Sequence, residues 1–142
     1  MHARILLTTF VTMMVGLDAQ AGPRIIGGEP AAPGAWPWLV GIVETAGIQP
    51  GPDYSESHQC GGSLIDAKWV LTAAHCVTDD FGHKVPAYTM TVVAGLTNLA
   101  KPEASCQARA ATRILVHEQY DAWDVVNDLA LIELTTPFAL GD

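Results

Sequence analysis

A chain of 142 residues that is 49% hydrophobic and only 15% charged carries enough apolar side chain to bury a core, which excludes a disordered polymer. Its 15 Asp and Glu against 7 Lys and Arg leave a net charge of -8, the wrong sign and pattern for binding nucleic-acid phosphates. The length suits one ordinary domain.

His2 and Arg4 precede an apolar run from Ile5 to Leu17, and Ala19-Gln20-Ala21 follows as a small-x-small cleavage pattern. This is the layout of a secretory signal, so residues 1–21 are expected to be removed. The run is too short to span a bilayer as a helix, no later stretch is longer, and no membrane span is expected. Export predicts a secreted, extracellular location (periplasmic in a bacterium), where cysteines can pair. Gly22-Pro23-Arg24 then leads into Ile25-Ile26-Gly27-Gly28. A basic residue beside a flexible glycine pair is open to a protease that cuts after cations.

Beyond this point short apolar runs recur: Leu39–Val43, Ser63–Ile65, Val70–Thr72, Met90–Ala94, Ile114–Val116 and Leu129–Leu134. Clusters of Gly, Pro, Asp and Ser separate them and favour turns. With no long stripe of 3.6-residue period, the pattern predicts an all-β fold of about six strands, a small closed barrel or a sandwich. Glu44–Gln59 reads as a long polar loop. Trp36 and Trp38 flank Pro37 just ahead of the first strand and are expected in the core. His58 and His83 are expected solvated in polar loops, and His117 is expected to cap the strand before it.

Three cysteines remain, Cys60, Cys76 and Cys106, an odd number in a secreted chain. Bridging Cys60 to Cys76 would close a loop worth about 3 kcal/mol and anchor the turn holding His75, but spacing alone does not establish the pair. The same residues, with His58, offer nitrogen and sulfur for zinc, yet no C-x₂₋₄-C or H-x₃₋₅-H spacing occurs, so no metal is expected. Gly61-Gly62-Ser63-Leu64-Ile65 lacks the final glycine of a nucleophile elbow, which leaves Ser63 a strand residue. His75 sits in Leu71-Thr72-Ala73-Ala74-His75-Cys76, and Asp128 opens the most apolar strand in Asn127-Asp128-Leu129-Ala130-Leu131-Ile132. An acid that fixes a histidine tautomer makes a general base. By residue type alone the plainer reading is the stronger, with Asp128 a strand-start cap and His75 a packed histidine.

The order of motifs goes further. Ile25-Ile26-Gly27-Gly28, Trp36-Pro37-Trp38, Cys60-Gly61-Gly62-Ser63-Leu64-Ile65, Trp69-Val70-Leu71-Thr72-Ala73-Ala74-His75-Cys76 and Asn127-Asp128-Leu129-Ala130-Leu131-Ile132 follow one another along the chain. Together they resemble the chymotrypsin/trypsin family of serine endopeptidases (peptidase family S1), from Ile25 nearly to the end, with Ile26 a mild departure from the usual Val. The resemblance implies an antiparallel Greek-key β-barrel, with His75 as general base, Asp128 as its orienting acid, and a Cys60–Cys76 bridge. It also implies activation by cleavage between Arg24 and Ile25 by another protease, making residues 22–24 a short propeptide. Substrates would be proteins or peptides, and no cofactor is called for.

Such chemistry needs a nucleophilic serine and backbone donors for the oxyanion. In that family they come from a G-D-S-G-G segment in a second barrel, which also holds the primary specificity pocket. No such segment occurs here. Residues 25–142 are therefore expected to correspond to the N-terminal barrel, truncated before a C-terminal barrel that would be its intramolecular partner. By itself this chain is expected to be proteolytically silent, with an exposed apolar face and poor solubility. The alternative is a non-catalytic, protease-like binding or decoy module.

Overall fold

The computed structural model describes residues 28–47 and 53–140. The chain divides into two units, Met1–Pro30 and Ala31–Asp142. Of the first, only Gly28, Glu29 and Pro30 are described. The expected signal (1–21), propeptide (22–24) and Arg24–Ile25 cleavage point lie outside the described residues.

The second unit is a β-barrel of six antiparallel strands: β1 (Leu39–Glu44), β2 (His58–Asp66), β3 (Trp69–Thr72), β4 (Met90–Ala94), β5 (Gln107–Val116) and β6 (Ala130–Leu134). Two consecutive meanders, β1-β2-β3 and β4-β5-β6, join through β3 against β6 and β4 against β1, which closes the sheet without an edge. The all-β barrel read from the sequence is thus the fold observed. Among the described residues the only helical pieces are three short 3₁₀ turns, and no helix is long and apolar enough to cross a membrane.

Alternation fills the interior. Val40 and Ile42 of β1, Val70 of β3, Val92 of β4, and Ile132 and Leu134 of β6 are all buried against one another. Strand β4 is buried on both faces, since Thr91 and Val93 on its outer side are covered as well. Thr91 meets Thr45 there, Oγ1 to Oγ1, at 3.0 Å. Gly62 of β2 is required by closeness, because a Cβ there would lie 2.7 Å from Val70 Cγ1 and 3.0 Å from the Leu71 carbonyl oxygen. Only glycine lets β2 approach β3 this tightly.

Several boundaries differ from expectation. Strand β2 begins five residues before Ser63 and takes in His58, Gln59 and both glycines, while β5 begins at Gln107 rather than Ile114. In both, the added residues show one exposed, polar or small face, so they lack the apolar run that marks a buried strand. The polar loop after β1 is correspondingly shorter, since Glu44 belongs to β1 and His58 and Gln59 to β2. His58 is exposed, as expected, but on a strand. His83 does lie in a loop, with Nδ1 3.2 Å from Asp79 Oδ2. His117 accepts the Gln119 N–H at Nδ1 (3.2 Å), a cap beyond β5.

Trp36 and Trp38 are not in the core; they are 57% and 49% exposed and meet edge to face. They precede β1, and the closed interior is already filled by strand residues, which leaves no room for two indoles. With Leu39, Ile65 and Leu140 they line an apolar groove of about 720 Å³ on the outside of the barrel.

Candidate active site

The site grows out of the end of β3. Thr72, buried, donates its hydroxyl to the Gly61 carbonyl at 2.9 Å and ties β3 to β2. The chain then turns into a single 3₁₀ turn, Ala74–Val77, closed by the Cys76 N–H on the Ala73 carbonyl (3.3 Å). Ala74 and Val77 are wholly buried. Anchoring the turn at these two positions sends His75, one of the two residues between them, outward; its side chain is 58% exposed. Small residues at 73 and 74 let the turn lie against the barrel, where a larger side chain would overpack it. A disulfide between Cys60 of β2 and Cys76 clamps the turn from its other side.

Asp128 reaches the same turn from the start of β6, 53 residues away in sequence. Its Oδ1 accepts the backbone N–H of His75 at 2.9 Å, and its Oδ2 lies 2.7 Å from the imidazole Nδ1. Partial burial pushes the Asp128 carboxyl up. The hydrogen bonds from the His75 backbone and imidazole, the imidazole charge and the Ala74 N–H outweigh this and hold it below its ordinary value. An ionised carboxylate only accepts, so Nδ1 donates to it, and in the neutral imidazole the lone pair is left on Nε2. The arrangement can take a proton from a group brought to Nε2 and stabilise the resulting imidazolium.

A groove of about 500 Å³ borders His75, walled by the Cys60–Cys76 bridge, Glu44, Gln59, Thr78, Val85, Pro86 and Met90. The larger apolar groove beside Trp36 and Trp38 does not include His75 or Asp128. Cys60, Cys76 and His75 place ligand atoms within 4.8 Å of one another. With both sulfurs committed to the disulfide, that cluster has no thiolate to offer a metal. Cys106 is a free thiol, half-buried, and burial pushes it up from its ordinary value.

His75 and Asp128 therefore meet, beside the bridged Cys60 and Cys76, while Arg24 and Ile25 lie outside the described residues. The four serines lie elsewhere. Ser55 bonds Asp53, Ser57 the Tyr54 carbonyl and Ser105 the Gly95 carbonyl, and Ser63 is a β2 residue; none is hydrogen-bonded to His75. Asn127, whose side-chain amide donates to the Gln119 carbonyl at 2.9 Å just before Asp128, has little to mark it in the sequence. The only signal there was an Asn-Asp pair leading into an apolar strand.

A family model described as Trypsin matches residues 25–142. Coagulation factor IX of Cavia porcellus is 38% identical over 121 residues, which cover 83% of this chain and 36% of that relative. The chain thus spans little more than a third of the length of the curated relative it matches.

Proposed function

The chain belongs to the trypsin family, and from that premise we propose that it supplies the base-bearing barrel of an extracellular serine endopeptidase. The observation that carries this reading is the double hold of one carboxylate on His75, at 2.9 Å to its backbone N–H and 2.7 Å to Nδ1. A packed histidine needs neither contact, whereas a general base needs its tautomer and direction set.

In this reading a serine hydroxyl gives its proton to Nε2 of His75 as its oxygen attacks the carbonyl carbon of a peptide bond. The imidazolium, held by Asp128, returns that proton to the departing amine, and an acyl-enzyme remains. Water then repeats the sequence, losing a proton to Nε2 and releasing the acid. None of the four serines bonds His75, so we assign the nucleophile, the oxyanion donors and the primary pocket to a second barrel outside these 142 residues. Residues 1–21 act as the export signal, and cleavage after Arg24 frees Ile25 as a new terminus. The groove with Glu44 and Gln59 at its wall receives the leaving side of the substrate.

The test is fluorophosphonate labelling and peptide-ester hydrolysis by the naturally produced protein, before and after cleavage at Arg24. Both activities are expected only after cleavage, and His75→Ala should lower kcat/KM by roughly 10⁴-fold or more. Absence of labelling after confirmed cleavage would instead indicate a non-catalytic binding module. Hydrolysis by the 142-residue chain alone, abolished by His75→Ala, would overturn the assignment of the nucleophile to a second barrel.

A further inference from the structure

Asp128 is delivered by the bend between β5 and β6, and the backbone of that bend is unusual at two positions. Val125 and Asn127 have φ of 52° and 54°. This left-handed region disfavours residues with a Cβ, and asparagine tolerates it far better than most. Between them Val126 is held from both directions, donating its N–H to the Asp121 carbonyl (3.2 Å) and accepting the Asp121 N–H (3.0 Å). The Asn127 side-chain amide then crosses the bend and donates to the Gln119 carbonyl at 2.9 Å. Just beyond, the Leu129 N–H donates to the Asn127 carbonyl at 2.8 Å, closing a three-residue turn with Asp128 at its centre. The Leu129 carbonyl accepts the His117 N–H at 2.9 Å, which fixes the far side of the turn.

A carboxylate that must satisfy two donors on a different element depends on where its own backbone points. A left-handed residue immediately before it, and a turn bond across it, decide that direction. We infer that Asn127 is a positioning residue for the His75–Asp128 pair, setting the direction of the Asp128 carboxylate through its left-handed backbone and its amide bond to the Gln119 carbonyl. The inference rests on the reading of Asp128 as the orienting acid. Asparagine meets both demands at once. Glycine meets only the backbone demand, aspartate accepts the backbone but has no amide to donate, and alanine meets neither.

The experiment is proton NMR of the naturally produced protein, following the low-field resonance of the His75 Nδ1–H held by Asp128 and its exchange with water. Asn127→Ala should abolish that resonance while the dispersed amide spectrum of the barrel persists. Asn127→Gly and Asn127→Asp should keep it, with exchange about fivefold to tenfold faster, the share of one hydrogen bond. A folded Asn127→Ala chain with an unaltered resonance overturns the inference. If the alanine chain does not fold, Asn127→Gly decides, and exchange equal to the parent overturns it. The readout requires no catalysis. Loss of the resonance in Asn127→Ala, alongside ester hydrolysis indifferent to His75→Ala in the cleaved natural protein, would sink the endopeptidase reading and leave the positioning role standing.

Discussion

Replacing both cysteines of the bridge, Cys60→Ala with Cys76→Ala, separates what holds the barrel from what holds the His75–Asp128 pair. The bridge joins residues 16 apart, and closing a loop of that size restricts the unfolded chain by about 3 kcal/mol. Both cysteines also pack against the core while only partly buried, so losing two sulfurs adds on the order of 1 kcal/mol. A fall of roughly 3–4 kcal/mol in unfolding free energy is expected from urea titration, a large share of the about 5–15 kcal/mol typical of a domain. The His75–Asp128 pair should nevertheless survive in the folded fraction. Its turn is also pinned by the wholly buried Ala74 and Val77 and by the bond from the His75 N–H to Asp128. The check is the low-field Nδ1–H resonance in the double variant without denaturant. A loss of stability below about 1 kcal/mol would refute the loop-closure reasoning. A folded variant without the resonance would show that the bridge, not the buried alanine and valine, positions the turn.

Other outcomes follow from single contacts. Because the Asp128 carboxyl is held below its ordinary value of 3.8, its contribution to stability is fully present above that value and is lost as pH falls through the lower folded one. Asp128→Asn should therefore flatten the stability profile below about pH 4, read as the difference in urea midpoint between the two chains. The difference matters because Asp53, Asp79 and Glu103, held down by bonds from Ser55, His83 and Thr97, titrate in the same region. Gly62→Ala places a methyl 2.7 Å from the buried Val70 and 3.0 Å from the Leu71 carbonyl. It should cost about 1–3 kcal/mol by denaturation, and an unchanged midpoint would mean that β2 and β3 can part freely. Val125→Asn removes a β-branched side chain from a φ of 52° and should raise stability by about 1 kcal/mol in the same assay.

Local signals in the chain were sufficient wherever one stretch of residues carries its own constraint. Met90–Ala94 was legible as a strand to the residue because both of its faces are buried, so its apolar run is unbroken. The turn holding His75 was legible because small residues, a histidine and a cysteine are contiguous there. Where a strand has one face to solvent, as in the first halves of β2 and β5, polar and small residues hid its extent. The two tryptophans lie outside the core for a related reason. Hydrophobic type implies burial only when the fold has room, and a closed barrel of this size had none left.

What the sequence determined by itself was the class of fold, the family resemblance and the two residues, His75 and Asp128, proposed as base and acid. It did not determine how an acid 53 residues from its histidine comes to face it. That depended on β3 pairing with β6, which sets the ends of both strands side by side, and on the left-handed bend at Asn127 just before the carboxylate. Pairing register and backbone handedness are properties of the assembled sheet. They arise from hydrogen bonds between segments far apart in the chain, and so tertiary structure alone turned two legible residues into one site.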